Sequence, residues 1–174
     1  MSLPAAQRDS VLAHFDGATG WARTTNEEWA AIAREVPGGW GGFFVERDTL
    51  WVYLTDPSQR EVALAALAGR RGATGFDVDV RQARVRPGRW DFAQLDEWYL
   101  YLAPHVQGLG IRESDIQEAR NRIEYSVVDT AARTRVERVL AKVDVPCFLV
   151  AIDVIGPVDV RGVRSYGTGR LTGR

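Results

Sequence analysis

A strand–turn–strand–helix–strand pattern occurs twice in this chain, and no other feature of the sequence restricts its fold as much. The stretch IQEARNRIEYSVVD at 116–129 repeats the design of FVERDTLWVYLTD at 44–56. Glu46 corresponds to Glu118 at an offset of 72 residues, and Phe76 to Phe148 at 72 again. Leu50, Val52, Leu54 and Asp56 correspond to Ile123, Tyr125, Val127 and Asp129 at 73, which puts one extra residue in the second turn. Alternating apolar residues around each turn predict half-buried hairpins, and the aspartate beyond each predicts a capped helix. A small sheet with one covering helix is marginal alone. Two such units packed together supply a common core, so the expected class is α+β. It comprises two related sheet-and-helix units, mostly antiparallel strands and an N-terminal helical cap.

Within the first unit, strands are expected at 40–46 and 49–55 around Arg47-Asp48. Leu50, Val52 and Leu54 then share one face; Trp51, Tyr53 and Thr55 share the other. Asp56-Pro57 opens a helix over 57–69, with Val62, Leu64, Ala65, Leu67 and Ala68 inward. A third strand is read at 75–81, where Phe76, Val78 and Val80 alternate with Asp77 and Asp79. The second unit continues with a helix at 130–143, turning Val136, Val139, Leu140 and Val143 inward, and a strand at 147–155.

Between the units, Asp91 caps a helix carrying Phe92, Leu95, Trp98, Tyr99, Leu102 and Val106 at spacings of three or four. Pro104 predicts a kink or an early stop, and the helix is placed to bridge the two units. Ahead of the repeat, helices at 3–15 and 25–36 are expected to cover the Trp51–Tyr53 face. The resulting division is 1–37 helical extension, 38–85 first unit, 86–110 bridging helix, 111–156 second unit and 157–174 basic tail.

Composition removes several classes of function. The 22 basic and 23 acidic side chains leave a net charge of -1, so the chain is no general polycation. One cysteine forms no intrachain bridge, and two histidines offer little to a zinc or copper cluster. No metal or cofactor is therefore expected. The start MSLPAAQRDSVLAHFD lacks the pattern of a secretory leader, and no 18-residue apolar run appears. Cytoplasmic residence with no membrane partner is the expectation.

Chemistry-bearing patterns are sparse. Gly38-Gly39-Trp40-Gly41-Gly42 follows a helix and precedes a strand, the wrong setting for a dinucleotide loop, and reads as a helix stop. Ser10 and His14 lie four apart without an orienting acid, and Asp77 with Asp79 suits the wet side of a strand. Cys147, at the start of an apolar strand, reads as a buried structural thiol. No catalytic residue is assigned, and the chain is expected not to be an enzyme.

The phrase FVERDTLWVYLTDPSQREVALAALAG resembles pro-region modules of bacterial secreted serine proteases of the alpha-lytic and streptogrisin type. RPGRWDFAQLDEWYLYL is similar to the helix that follows there, and IQEARNRIEYSVVDTAARTRVERVL to the later module. The resemblance spans roughly residues 40–155 and includes the turn residues Asn121-Arg122. It implies a non-catalytic role, in which a pro region pairs a sheet with its enzyme and its C-terminal tail occupies the substrate cleft. Residues 158–174, VDVRGVRSYGTGRLTGR, stand where such a tail would be.

Two interaction sites follow as expectations. A protein partner is expected at Trp51, Tyr53 and the tail residues Arg161, Arg164 and Tyr166. The alternative is a small anionic ligand or nucleic acid bound by Arg81, Arg84, Arg86, Arg89 and Trp90. Arg84 and Arg86 would share one face if the strand extends that far, and Asp91 and Asp96 stand nearby as partners.

Overall fold

A computed structural model of the chain describes residues 3–7, 9, 25–68 and 80–156. The elements are α1 (Thr25–Glu35), β1 (Trp40–Glu46), β2 (Thr49–Leu54), α2 (Arg60–Ala68), β3 (Arg84–Pro87), α3 (Phe92–Val106), β4 (Ile111–Gln117), β5 (Arg122–Val127), α4 (Thr130–Lys142) and β6 (Val150–Val154). Three 3₁₀ turns, Pro57–Gln59, Val80–Gln82 and Glu118–Arg120, complete the order. The fold is α+β with two three-stranded sheets, β1-β2-β3 and β4-β5-β6. In each, an antiparallel hairpin is extended by a third strand that returns parallel through a helix. The parallel pairing follows from the helix, which carries the chain back to the starting end of the sheet.

The sheets repeat each other in register as well as order. Trp40 pairs with Leu54 and Ile111 with Val127, and each pair is followed by a one-residue bulge in the first strand. The central strands correspond at the expected 73, Val52 lying where Tyr125 lies. The first strands correspond at 71, so Gln117 rather than Glu118 takes the place of Glu46. Two extra residues, not one, therefore fall in the second turn. Arg47 and Asp48 both adopt positive φ (48° and 59°), as a two-residue hairpin turn matching strand twist requires. The second turn is longer and ends on Asn121 at φ 51°.

The third strands depart from the sequence reading. Residues 75–79 lie outside the described residues, while Val80 belongs to a 3₁₀ turn and is buried. The strand instead is Arg84–Pro87, in which Val85 pairs with Val52. This short edge strand buries little, so it leaves no apolar alternation to read. The last strand begins at Val150 rather than 147, because Phe148 has φ 68° and cannot be extended. Cys147 is consequently exposed, not buried in a strand.

Caps set the helix starts. The Asp56 carboxylate accepts from Ser58 N, Asp129 from Ala132 N, and Asp91 forms a reciprocal capping box with Gln94. Helix 57–69 is a 3₁₀ turn leading into α2, whose inner residues are Ala63, Leu64 and Leu67; Val62 and Ala65 face out. In α4, Ala132 and Val136 are buried, with Val139, Leu140 and Val143 packed at the margin. Pro104 sits in the last turn of α3, where the helix runs on to Val106.

One hydrophobic core joins everything. α3 touches β1 of the first sheet and β4 and β5 of the second, burying Phe92, Leu95, Trp98, Leu102 and Val106. α1 packs on α3 and inserts Trp29 among Trp40, Phe43 and Phe92, with ring centres 5.0–5.8 Å away. Each such pair adds about 0.5–1.5 kcal/mol beyond its area. Tyr125, 1% exposed, lies in the second half of this core, and its hydroxyl has no hydrogen-bond partner among the described residues. Burial pushes that phenol's pKa upward. Tyr125→Phe is therefore expected to stabilise the fold by about 1 kcal/mol, since an unpaired buried hydroxyl is a cost. A thermal melt should show a rise of roughly 2–4 °C; a lower midpoint would mean the hydroxyl is bonded.

Candidate binding surfaces

The first sheet has an inner and an outer face. Val52, Leu54, Trp40 and Phe43 look inward, and Trp29 of α1 lies on that side. The helical cap thus covers the face opposite to Trp51 and Tyr53, contrary to expectation for 25–36; most of 3–15 lies outside the described residues. The outer face carries Phe44, Trp51 and Tyr53, all half-buried. Phe44 stacks on Trp51 at 6.4 Å and meets Tyr53 at 5.5 Å.

Arginines complete this face. Across the parallel ladder Trp51 pairs with Arg84 and Tyr53 with Arg86, so β3 does extend both arginines along one side. The Arg86 guanidinium lies 4.1 Å from the Trp51 ring centre and 5.0 Å from that of Phe44. It also pairs with Glu46 at 2.7 Å. Arg84 stands 5.7 Å over Trp51 and is exposed. Among the described residues, no helical side chain makes a ring contact with Phe44, Trp51 or Tyr53. At one border the Tyr53 hydroxyl donates to the carbonyl of Ala119 in the second unit.

The remaining members of the expected arginine cluster part company with this face. Arg81 sits in the 3₁₀ turn before β3 and engages in contacts of its own. Arg89 lies beyond Gly88 and turns toward the second unit. Trp90 is 4% exposed and belongs to the core, so it offers no free ring for stacking. Asp91 is spent on its helix cap and Asp96 is buried, so neither is the solvated partner the sequence suggested. Arg161, Arg164 and Tyr166 lie outside the described residues, as do Ser10, His14, Asp77 and Asp79.

A second surface arises where the units meet. Asn121, 5% exposed, donates from Nδ2 to the carbonyls of Gly41 (3.1 Å) and Trp90 (2.8 Å). Its Oδ1 accepts from the backbone N–H groups of Arg89 (2.9 Å) and Trp90 (3.1 Å). Gly41 has no room for a side chain: a Cβ there would meet Trp90 O at 2.4 Å and Asn121 Nδ2 at 2.5 Å. The glycine run thus ends α1, forms the bulge and admits this amide.

Around the clamp, Arg89, Trp90, Arg120, Asn121, Arg122 and Phe148 line a cavity of 270 Å³. Arg89 lies 4.7 Å from the Phe148 ring centre and donates to the carbonyl of Cys147. Arg120 is held by Asp153 at 3.1 Å and Glu124 at 3.4 Å. Burial, followed by the hydrogen bond with Asp153, raises the Glu124 pKa; that same bond and Arg120 lower Asp153. The two carboxyls thus share a proton more readily than isolated acids would.

Sequence reading missed Phe44, Arg120, Arg122 and Phe148. Phe44 had a signal, since it alternates with Phe43 in β1. The others meet through tertiary contacts alone. No group of three His, Cys, Asp or Glu side chains able to hold a metal occurs among the described residues, and no described helix is long and apolar enough to cross a membrane. No family model matches the chain, and no curated protein matches it.

Proposed function

We propose that the chain is a non-enzymatic protein-interaction module, similar in design to a protease pro region, whose docking surface is the outer face of the first sheet. The single observation that carries this reading is the stack of Arg86 on Trp51 and Phe44, on a face without helical ring contacts among the described residues. A guanidinium lying on aromatic rings keeps its edge free of the rings, so Arg86 has N–H groups for a second carboxylate beyond the one bonded to Glu46, and Trp, Tyr and Arg dominate binding hot spots. Arg84 and Arg86 outnumber Glu46 there, so the fitting partner is an acidic segment that carries an apolar side chain. Arg161, Arg164 and Tyr166 belong to the proposal as tail contacts.

The test is titration of the full chain with Asp/Glu-rich peptides bearing one aromatic residue, beside charge-reversed peptides and single-stranded oligonucleotides. Trp51→Ala and Arg86→Ala are each expected to weaken acidic-peptide binding by about tenfold, the ~1.4 kcal/mol of a moderate hot spot. Both residues are partly solvent-facing, so circular dichroism should remain unchanged. Equal affinity in wild type and both variants would remove this face from the interaction. Preference for oligonucleotides, with a steep loss in salt, would favour the alternative reading of Arg84 and Arg86 as phosphate contacts. Equal affinity after truncation at Pro157 would remove the tail.

A further inference from the structure

Phe148 is expensive to keep where it is. It is 67% exposed, the highest among the large apolar residues described, and its backbone sits at φ 68°. A bulky side chain in the left-handed region costs roughly 1–2 kcal/mol, and the exposed ring gains nothing from the core. Such strain together with exposure points to a role in binding. Phe148 also forms one wall of the cavity at the junction of the units.

The other walls are cationic and rigid. Asn121 fixes the backbone of Arg89 on one side and stands between Arg120 and Arg122 on the other. Three arginines, Arg89 ahead of the bridging helix and Arg120 and Arg122 of the second unit, therefore line one space. Among the described residues, no carboxylate lies within ion-pairing distance of Arg89 or Arg122. Glu124 and Asp153 are engaged by Arg120, and Glu124 attracts Arg122 only from longer range. Arg122 gives its Nε–H to the Arg120 carbonyl and Arg89 one N–H to that of Cys147, which leaves further donors on both to hold a phosphate through forked hydrogen bonds.

We infer that this junctional cavity is a binding site for a small phosphomonoester on a flat ring, with Arg89 and Arg122 holding the phosphate and Phe148 the ring. Its 270 Å³ falls just below the roughly 300–1,000 Å³ of sites for drug-sized ligands, which fits a phosphate and one ring. The site shares no residue with the outer face of the first sheet, so neither proposal stands or falls with the other.

The experiment titrates the full chain with phenyl phosphate and with inorganic phosphate at constant ionic strength. Phenyl phosphate should bind saturably and more tightly than phosphate. Arg89→Ala and Arg122→Ala should each weaken both ligands about tenfold. Phe148→Gly should leave phosphate affinity unchanged and reduce phenyl phosphate to the same level, while its melting temperature stays equal or rises because the strain is relieved. Cys147, the one cysteine, adjoins Phe148 and is exposed, so its alkylation rate reports occupancy and should fall several-fold with phenyl phosphate. Absence of saturable binding, or affinities indifferent to the arginine and Phe148 substitutions, would overturn the site. An alkylation rate insensitive to saturating phenyl phosphate would place binding elsewhere and overturn it equally.

Discussion

Asn121→Ala is expected to cost the fold about 4–6 kcal/mol, a large share of the roughly 5–15 kcal/mol that holds such a domain together. The Asn121 amide uses its full capacity of two donors and two acceptor sites on the backbone of Gly41, in the first unit, and of Arg89 and Trp90, just ahead of the bridging helix. Alanine leaves the Arg89 and Trp90 N–H groups and the Gly41 and Trp90 carbonyls without this partner. Each buried orphan costs about 1–3 kcal/mol, less where water can enter from the cavity. Alanine must also hold φ 51°, which asparagine tolerates better. Asn121→Gly removes the same bonds without that strain, so it should be about 1 kcal/mol milder. Asn121→Asp keeps two acceptors but turns a carboxylate on two carbonyls, and should lose about 3 kcal/mol at neutral pH. Urea unfolding measures all three. Because the amide ties the second unit's turn to the first unit, the alanine variant should also unfold less cooperatively. A loss under 1.5 kcal/mol with one sharp transition would mean that the core alone joins the units.

Elements whose signals are local were legible in the sequence. Leu50, Val52 and Leu54 against Ile123, Tyr125 and Val127 gave the central strands, and Asp56, Asp91 and Asp129 gave the caps. The third strands were less legible: an edge strand such as Arg84–Pro87 has only Val85 to bury, and of the expected 75–81 only Val80 and Arg81, in a 3₁₀ turn, are among the described residues. Phe148 was placed in a strand because its positive φ has no signature in an apolar run. The candidate sites were half legible. Trp51, Tyr53, Arg84 and Arg86 are each set by strand alternation, so a face was predictable. Their stacking required the parallel pairing of β3 with β2, which no local pattern in the sequence announces. The cavity joins Arg89 to Arg122 and Phe148, and such distant residues meet only through the packing that Asn121 enforces.

Asp96→Asn is expected to stabilise the protein above pH 7 and to leave it nearly unchanged at pH 4. Asp96 lies in α3, 5% exposed, and burial raises its pKa from 3.8 to about 6. Arg34 pulls it down, while Glu27 and Glu97 push it up. Arg34 is itself drawn to Glu97 at 3.6 Å, so its charge is divided. The folded state thus holds the Asp96 proton more tightly than the unfolded chain does. As pH rises from about 4 to about 6, this group subtracts stability, and above that the loss is complete. At 1.36 kcal/mol per pKa unit the full loss is about 3 kcal/mol. Asparagine has the same shape and no charge, so at pH 8 it should recover about 2–3 kcal/mol, a rise of roughly 4–12 °C in Tm. Glu118, Asp115 and Glu124 also have raised pKa values through burial and tilt the wild-type profile the same way. The decisive quantity is therefore the difference between variant and wild type at each pH, in which those contributions cancel. That difference should open between pH 4 and pH 7 and then stay level. Arg34→Met should move its midpoint upward by removing the one attractive charge. A difference that is constant with pH would mean that Asp96 is ionised throughout, held by interactions strong enough to offset its burial.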